Sequence, residues 1–177
     1  MRSNKAVYTY LISIFMLFFS SNSMSYDAVF NVSGRVQAGT CSIKSSKNQN
    51  VRLGDHSINS SFGMSKGSKT RAVRWSLEFD CAQGVGIDAM AGGSGSLGGS
   101  VLGLSGNDSA KGIGIETVFW MSNYHSIPVR FYVTSPLFSG GTQGIKVVNF
   151  DSYYIQTEDK VTPGSANAVL DLDIMYY

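Results

Sequence analysis

The sequence has little with which to do chemistry. It holds two cysteines and two histidines in 177 residues. His56 and His125 stand far from each other and from Cys41 and Cys81, without the spacing of a metal-ligand set, so neither a metal nor a cofactor is expected. Ser122, His125 and Asp151 supply the residue types of a hydrolytic triad, but no motif around them fixes its geometry, and no enzyme is expected. A clustered basic face is also missing. The 14 Lys and Arg side chains stand against 12 Asp and Glu, and Arg2 and Lys5 belong to the first segment, so the remainder is balanced. Nucleic acid is therefore not an expected partner. The short basic run Lys66, Lys69, Arg71 and Arg74 reads as a solvated loop and strand edge. The apolar run Leu11 to Phe19 has nine residues, where a bilayer-spanning helix needs about 20. Beyond it there is no amphipathic helical pattern and no internal repeat. The Gly- and Ser-rich stretch 92–100 lacks the preceding strand, following helix and Lys of a phosphate-cradling loop, and is expected to be a loop or a weak edge hairpin.

What is present begins with an export signal. Arg2 and Lys5 precede the apolar run, and the small residues Ser23 and Ser25 follow it at the spacing a signal peptidase needs. Cleavage after Ser25 makes residues 1–25 a signal peptide and leaves 152 residues, enough for one domain with a real core. An exported chain enters an oxidising compartment, so the first reading of Cys41 and Cys81 is a single disulfide. Closing a loop over 40 positions contributes about 4 kcal/mol in the chain-entropy model.

The mature part reads as β throughout. Short strands are expected at 26–38, Cys41–Ile43, Val51–Leu53, Ala72–Cys81, Gly112–Val118, Ile127–Val133, Ile145–Phe150, Tyr153–Thr157 and Gly164–Tyr177, with 82–111 as a Gly- and Ser-rich connection. In the fourth of these, Val73, Trp75, Leu77, Phe79 and Cys81 share a face, and Cys81 is expected to meet Cys41 across a sandwich. Short strands, turn signals and one bridge argue for a β-sandwich.

The last fourteen residues alternate over their whole length. Gly164, Ala166, Ala168, Leu170, Leu172, Ile174 and Tyr176 form one face, graded from small to bulky, and Ser165, Asn167, Val169, Asp171, Asp173, Met175 and Tyr177 the other. A second one-faced strand stands near the mature N-terminus, where Ala28, Phe30, Val32, Gly34 and Val36 alternate with Val29, Asn31, Ser33, Arg35 and Gln37. Only Gly39 and Thr40 separate that stretch from Cys41, which favours projection outward over folding back. The pattern is that of a domain lacking one strand of its own and carrying a spare strand for another molecule.

These residues resemble subunits of chaperone–usher fimbriae of the type 1 and P fimbria kind. The resemblance rests on Phe30-Asn31-Val32-Ser33-Gly34-Arg35-Val36 leading to Cys41, on Cys81, on Gly112-Ile113-Gly114-Ile115, and on an ending with Gly164 fourteen positions from the end and Tyr176 next to last. It implies an incomplete immunoglobulin-like β-sandwich lacking its final strand. Residues 26–38 are then an N-terminal donor-strand extension and 39–177 the pilin domain. The implied partners are a periplasmic chaperone, an outer-membrane usher and neighbouring pilin subunits. The chaperone strand would lie along Gly164–Tyr176, its basic residues holding the carboxylate of Tyr177. Ala28, Phe30, Val32, Gly34 and Val36 would later fill the groove of another subunit, by β-augmentation. The chain would pass through the periplasm to a cell-surface fimbrium. The alternative is a small outer-membrane β-barrel ending in an aromatic residue, against which stands the phase of Tyr177: it would put Asp171 and Asp173 on the lipid face.

Overall fold

The computed structural model describes residues 40–177, apart from 59–61, 63, 94, 96, 98, 123 and 124. The expected signal peptide and donor-strand extension lie outside the described residues.

Nine strands follow one another: β1 (Cys41–Ile43), β2 (Val73–Cys81), β3 (Ile87–Gly93), β4 (Val101–Leu102), β5 (Ile113–Ser122), β6 (His125–Pro128), β7 (Thr134–Phe138), β8 (Gly144–Gln156) and β9 (Leu170–Tyr176). No helix occurs among the described residues. One sheet has the order β1-β2-β8-β5-β4, with β6 also on β5, and the other the order β7-β3-β9. All these pairings are antiparallel. Among the described residues neither sheet closes on itself, so the barrel alternative is not the architecture.

Alternation explains the packing. Leu77, Phe79 and Cys81 of β2, Ile87, Ala89 and Ala91 of β3, Phe119 of β5, and Val148 and Phe150 of β8 all turn inward and are buried in one core. Phe150 is fully enclosed, and Trp75 stacks on it with ring centroids 4.3 Å apart. A smaller cluster of Leu53, Phe62, Ala110, Ile113 and Tyr154 closes one end of the sandwich.

Several expectations are corrected. Val51–Leu53 is not a strand; Leu53 is buried as part of a loop lying on the second cluster. The stretch 82–111 is not one connection, because it contains β3, the middle strand of the second sheet. The inward positions of β3 beyond Ile87 are alanines, giving the strand little apolar signal. At the Gly/Ser stretch, expected as a loop or a weak edge hairpin, the Leu97 N–H donates to Val101 O and the Gly103 N–H to Gly95 O. The strand expected over Ile127–Val133 ends at Pro128, and the chain reaches the second sheet first through a single bridge from Phe131 to Ala91 and then as a strand from Thr134. The two runs expected over 145–157 are one continuous strand, β8. Finally, Cys41 and Cys81 do not meet across the sandwich. They face each other on neighbouring strands of one sheet, with Cα atoms 4.0 Å apart, and form the disulfide there.

Candidate functional site

The site follows from the hydrogen-bond parity of β9. The N–H of Gly86 donates to Tyr177 O (2.9 Å) and the N–H of Tyr177 to Gly86 O (3.2 Å), so this pair exchanges both ladder bonds. In an antiparallel ladder such pairs alternate with pairs that turn their amides outward. With the register Ile87↔Tyr176 to Gly93↔Leu170, Asp171, Asp173 and Met175 spend their main-chain groups on β3. Leu170, Leu172, Ile174 and Tyr176 point theirs the other way, where no strand is paired among the described residues.

The segment before β9 keeps the same parity. Asn167 O accepts from the Ser105 N–H, Ser165 O from the Ala110 N–H, and the Ser165 N–H donates to Asp108 O. Gly164 is there because the segment 108–110 runs close beside it: an added Cβ would lie 2.6 Å from Asp108 O and 2.7 Å from Ser109 C. Tyr154 fixes the middle of the segment, its hydroxyl donating to Ala166 O at 3.0 Å.

The same even-numbered residues carry the apolar face. Ala166, Ala168, Leu170, Leu172 and Ile174 are half-buried, while Asn167, Val169, Asp171, Asp173 and Met175 are exposed. Ala168, Leu170, Leu172 and Ile174 pack against the main core without being enclosed by it. Ile43 of β1 and Trp75 of β2 are likewise half-buried against it. The arrangement is an apolar seam along the edge of the sandwich. Along β9 its lip is a row of backbone donors and acceptors that no strand pairs among the described residues, the form that an added strand requires.

The structure places the other expected residues as follows. Gly164 lies exposed at the start of the seam. Tyr176, at 37 % exposure, lies at the far end of β9, and its partial burial raises the phenol pKa. Tyr177 is more exposed, and its ring occupies the space where a Cβ on Gly86 would stand. That contact was not expected from the sequence; Gly86 carries no signal other than being a glycine before a strand. Ala28, Phe30, Val32, Gly34 and Val36 lie outside the described residues.

The outer face of the larger sheet carries two polar networks that alternation did not reveal. Arg74 donates from Nε and Nη2 to the two carboxylate oxygens of Asp151 at 2.8 and 2.9 Å, and Trp120 Nε1 donates to the same carboxylate at 2.8 Å. The Arg74 hydrogen bonds, with help from Trp120, hold the Asp151 carboxyl below its ordinary pKa against the opposing effect of burial. This carboxylate of the imagined triad is thus engaged by Arg74 and Trp120, and His125 stands exposed at the start of β6. Nearby, Glu116 accepts from Lys69 (2.8 Å), Tyr153 (2.6 Å) and Ser100 (2.9 Å). Burial works to raise the Glu116 pKa, but these bonds outweigh it and the net shift is downward. Among the described residues, no group of three or more His, Cys, Asp or Glu side chains could hold a metal ion.

An antiparallel two-sheet sandwich whose apolar-backed β9 edge meets no strand among the described residues is the class that fold and seam define. A family model described as fimbrial protein matches residues 30–177. The chain belongs to that family. A search of curated protein sequences finds no match. Among solved structures, the crystal structure of the P pilus rod subunit PapA is similar with a TM-score of 0.59 at 18 % identity, over 77 % of this chain and 99 % of that one. A chaperone–usher pilus structure, reported for the molecular basis of rod uncoiling, is similar with a TM-score of 0.59 at 15 % identity, over 85 % of this chain and 95 % of that one.

Proposed function

We propose that this chain is a structural subunit of a chaperone–usher fimbria that polymerises by strand exchange and supports adhesion at the bacterial surface. A signal peptide over 1–25 sends it to the periplasm. There a chaperone lends a strand to the seam along Gly164–Tyr176. At the outer-membrane usher, residues 26–38 of the next subunit take that strand's place, with Ala28, Phe30, Val32, Gly34 and Val36 facing the core. The observation that carries this reading is the coincidence of two parities in β9. Leu170, Leu172 and Ile174, whose amides meet no strand among the described residues, are also the ones whose apolar side chains stay half-buried. One incoming strand satisfies both, gaining roughly 0.5–1.5 kcal/mol for each net hydrogen bond and about 1.5–3 kcal/mol for each large apolar side chain it buries.

The test is assembly in a periplasm that supplies a fimbrial chaperone and usher. Deleting residues 26–38 should leave a one-to-one chaperone complex and abolish the ladder of SDS-resistant multimers. Gly34→Leu should do the same where the groove admits no Cβ. Multimers formed undiminished by the deletion would overturn the reading.

A further inference from the structure

The strands of the smaller sheet hold three carboxylates and no cation. β3, β7 and β9 carry Asp88, Asp171 and Asp173 and no Lys, Arg or His. All three lie on the outer face. Asp171 stands opposite Gly92, Asp173 opposite Met90, and Asp88 opposite Met175. Asp171 and Asp173 are exposed, and positions two apart on one strand face lie about 7 Å from each other. Like charges so placed repel, a cost the domain by itself does not offset with any ion pair among the described residues.

The segment 26–38 has two charged residues, Asp27 at its start and Arg35, its one cation. Strand phase decides where it goes. In a ladder, opposite residues point to the same face whether the strands run parallel or antiparallel. If the even residues Phe30, Val32, Gly34 and Val36 face the core beside Leu170, Leu172 and Ile174, the odd residue Arg35 must lie on the outer face beside the odd residues of β9. Those are Asp171, Asp173 and Met175.

We propose that Arg35 of the next copy binds between Asp171 and Asp173 of the copy before it, and that this contact sets the register of the exchanged strand. The proposal rests on the strand-exchange reading above and adds to it a determinant of specificity. The apolar pockets resist a slip by one residue, which would expose every buried side chain. A slip by two keeps the faces and is opposed only by side-chain fit. A single guanidinium opposite a two-carboxylate stretch supplies a further penalty for that slip, because a shift of about 7 Å along the strand takes it away from at least one of the two aspartates.

Charge exchange between two full-length chains tests it. One chain carries Arg35→Glu; the other carries Asp171→Lys and Asp173→Lys. Each by itself should form SDS-resistant multimers about two- to fivefold more slowly than the unaltered chain, the range of an exposed charge pair. Mixed, they should recover the original rate as an alternating copolymer, since each donor strand then meets an opposite charge. The deficit should shrink in 1 M salt, where screening acts over about 3 Å. Asp171→Asn with Asp173→Asn, which removes charge without reversing it, controls for folding through its retained disulfide and circular dichroism. Variants that assemble at the original rate, or a mixture no faster than its components, would overturn the Arg35 contact while leaving strand exchange standing. An unaltered chain that forms no multimers would overturn both.

Discussion

β8 and β9 both turn apolar residues towards one core, Val148 and Phe150 from β8 and Leu170, Leu172 and Ile174 from β9, yet they meet opposite fates. β8 lies between β2 and β5, and its inward Val148 and Phe150 are buried, as are Asp151 and Tyr153 on its outward side. β9 has β3 on one side and no paired strand on the other among the described residues, and its inward Leu170, Leu172 and Ile174 stop at half burial. Residue type does not separate the two. Position in the sheet does: β8 has a neighbouring strand on both sides, and β9 has one on a single side among the described residues.

The contrast can be broken by truncating the two strands in turn. Phe150→Ala removes a fully enclosed ring stacked on Trp75 and should destabilise the chain by about 3–5 kcal/mol, read as a lower urea midpoint. Gly164→Ala comes next. Its new Cβ meets backbone atoms of Asp108 and Ser109, and backbone cannot swing aside as a side-chain tip can, so a loss of about 1–3 kcal/mol is expected. Leu172→Ala should cost the isolated chain only about 1 kcal/mol, because half of its burial is still to be gained, while slowing multimer formation several-fold. A Leu172→Ala loss as large as that of Phe150→Ala would show that β9 is already complete without a partner.

How much of this was legible beforehand depended on whether the signal was local. The terminal strand is readable over Leu170 to Tyr176, where the alternation is densest; from Gly164 to Val169 the expected strand is reduced to isolated bridges at Ser165 and Asn167, and the disulfide is readable because only two cysteines exist. The order of the strands was not readable. β3 was missed since Ala89, Ala91, Gly92 and Gly93 make a strand of small residues, whose fit depends on how closely β9 passes rather than on its own hydrophobicity. The polar networks were missed for a related reason. Alternation set Arg74 apart from the face of Val73, Trp75, Leu77, Phe79 and Cys81, but it gave Glu116 and Asp151 no face and could not say that the three strands are neighbours. The Cys41–Cys81 bridge shows the same limit, since the pair was foreseen but its placement within one sheet needed the register of β1 on β2.

The smallest expected effect sharpens the comparison from the side of β8. The Arg74 hydrogen bonds depress the folded-state pKa of Asp151. A group lowered on folding adds stability above its unfolded value, about 3.9 for Asp, and loses that contribution as pH falls through the folded value. The urea midpoint should therefore decline below about pH 4, part of the decline belonging to this pair. Asp151→Asn should flatten it, and only partly, for two reasons. Arg74 is 61 % exposed at its side chain, so water screens the pair, and Glu116, also shifted downward, titrates in the same window. An Asp151→Asn chain whose midpoint falls as steeply as the original between pH 7 and pH 3 would show that the outer network of β8 is held by Trp120 packing and not by charge.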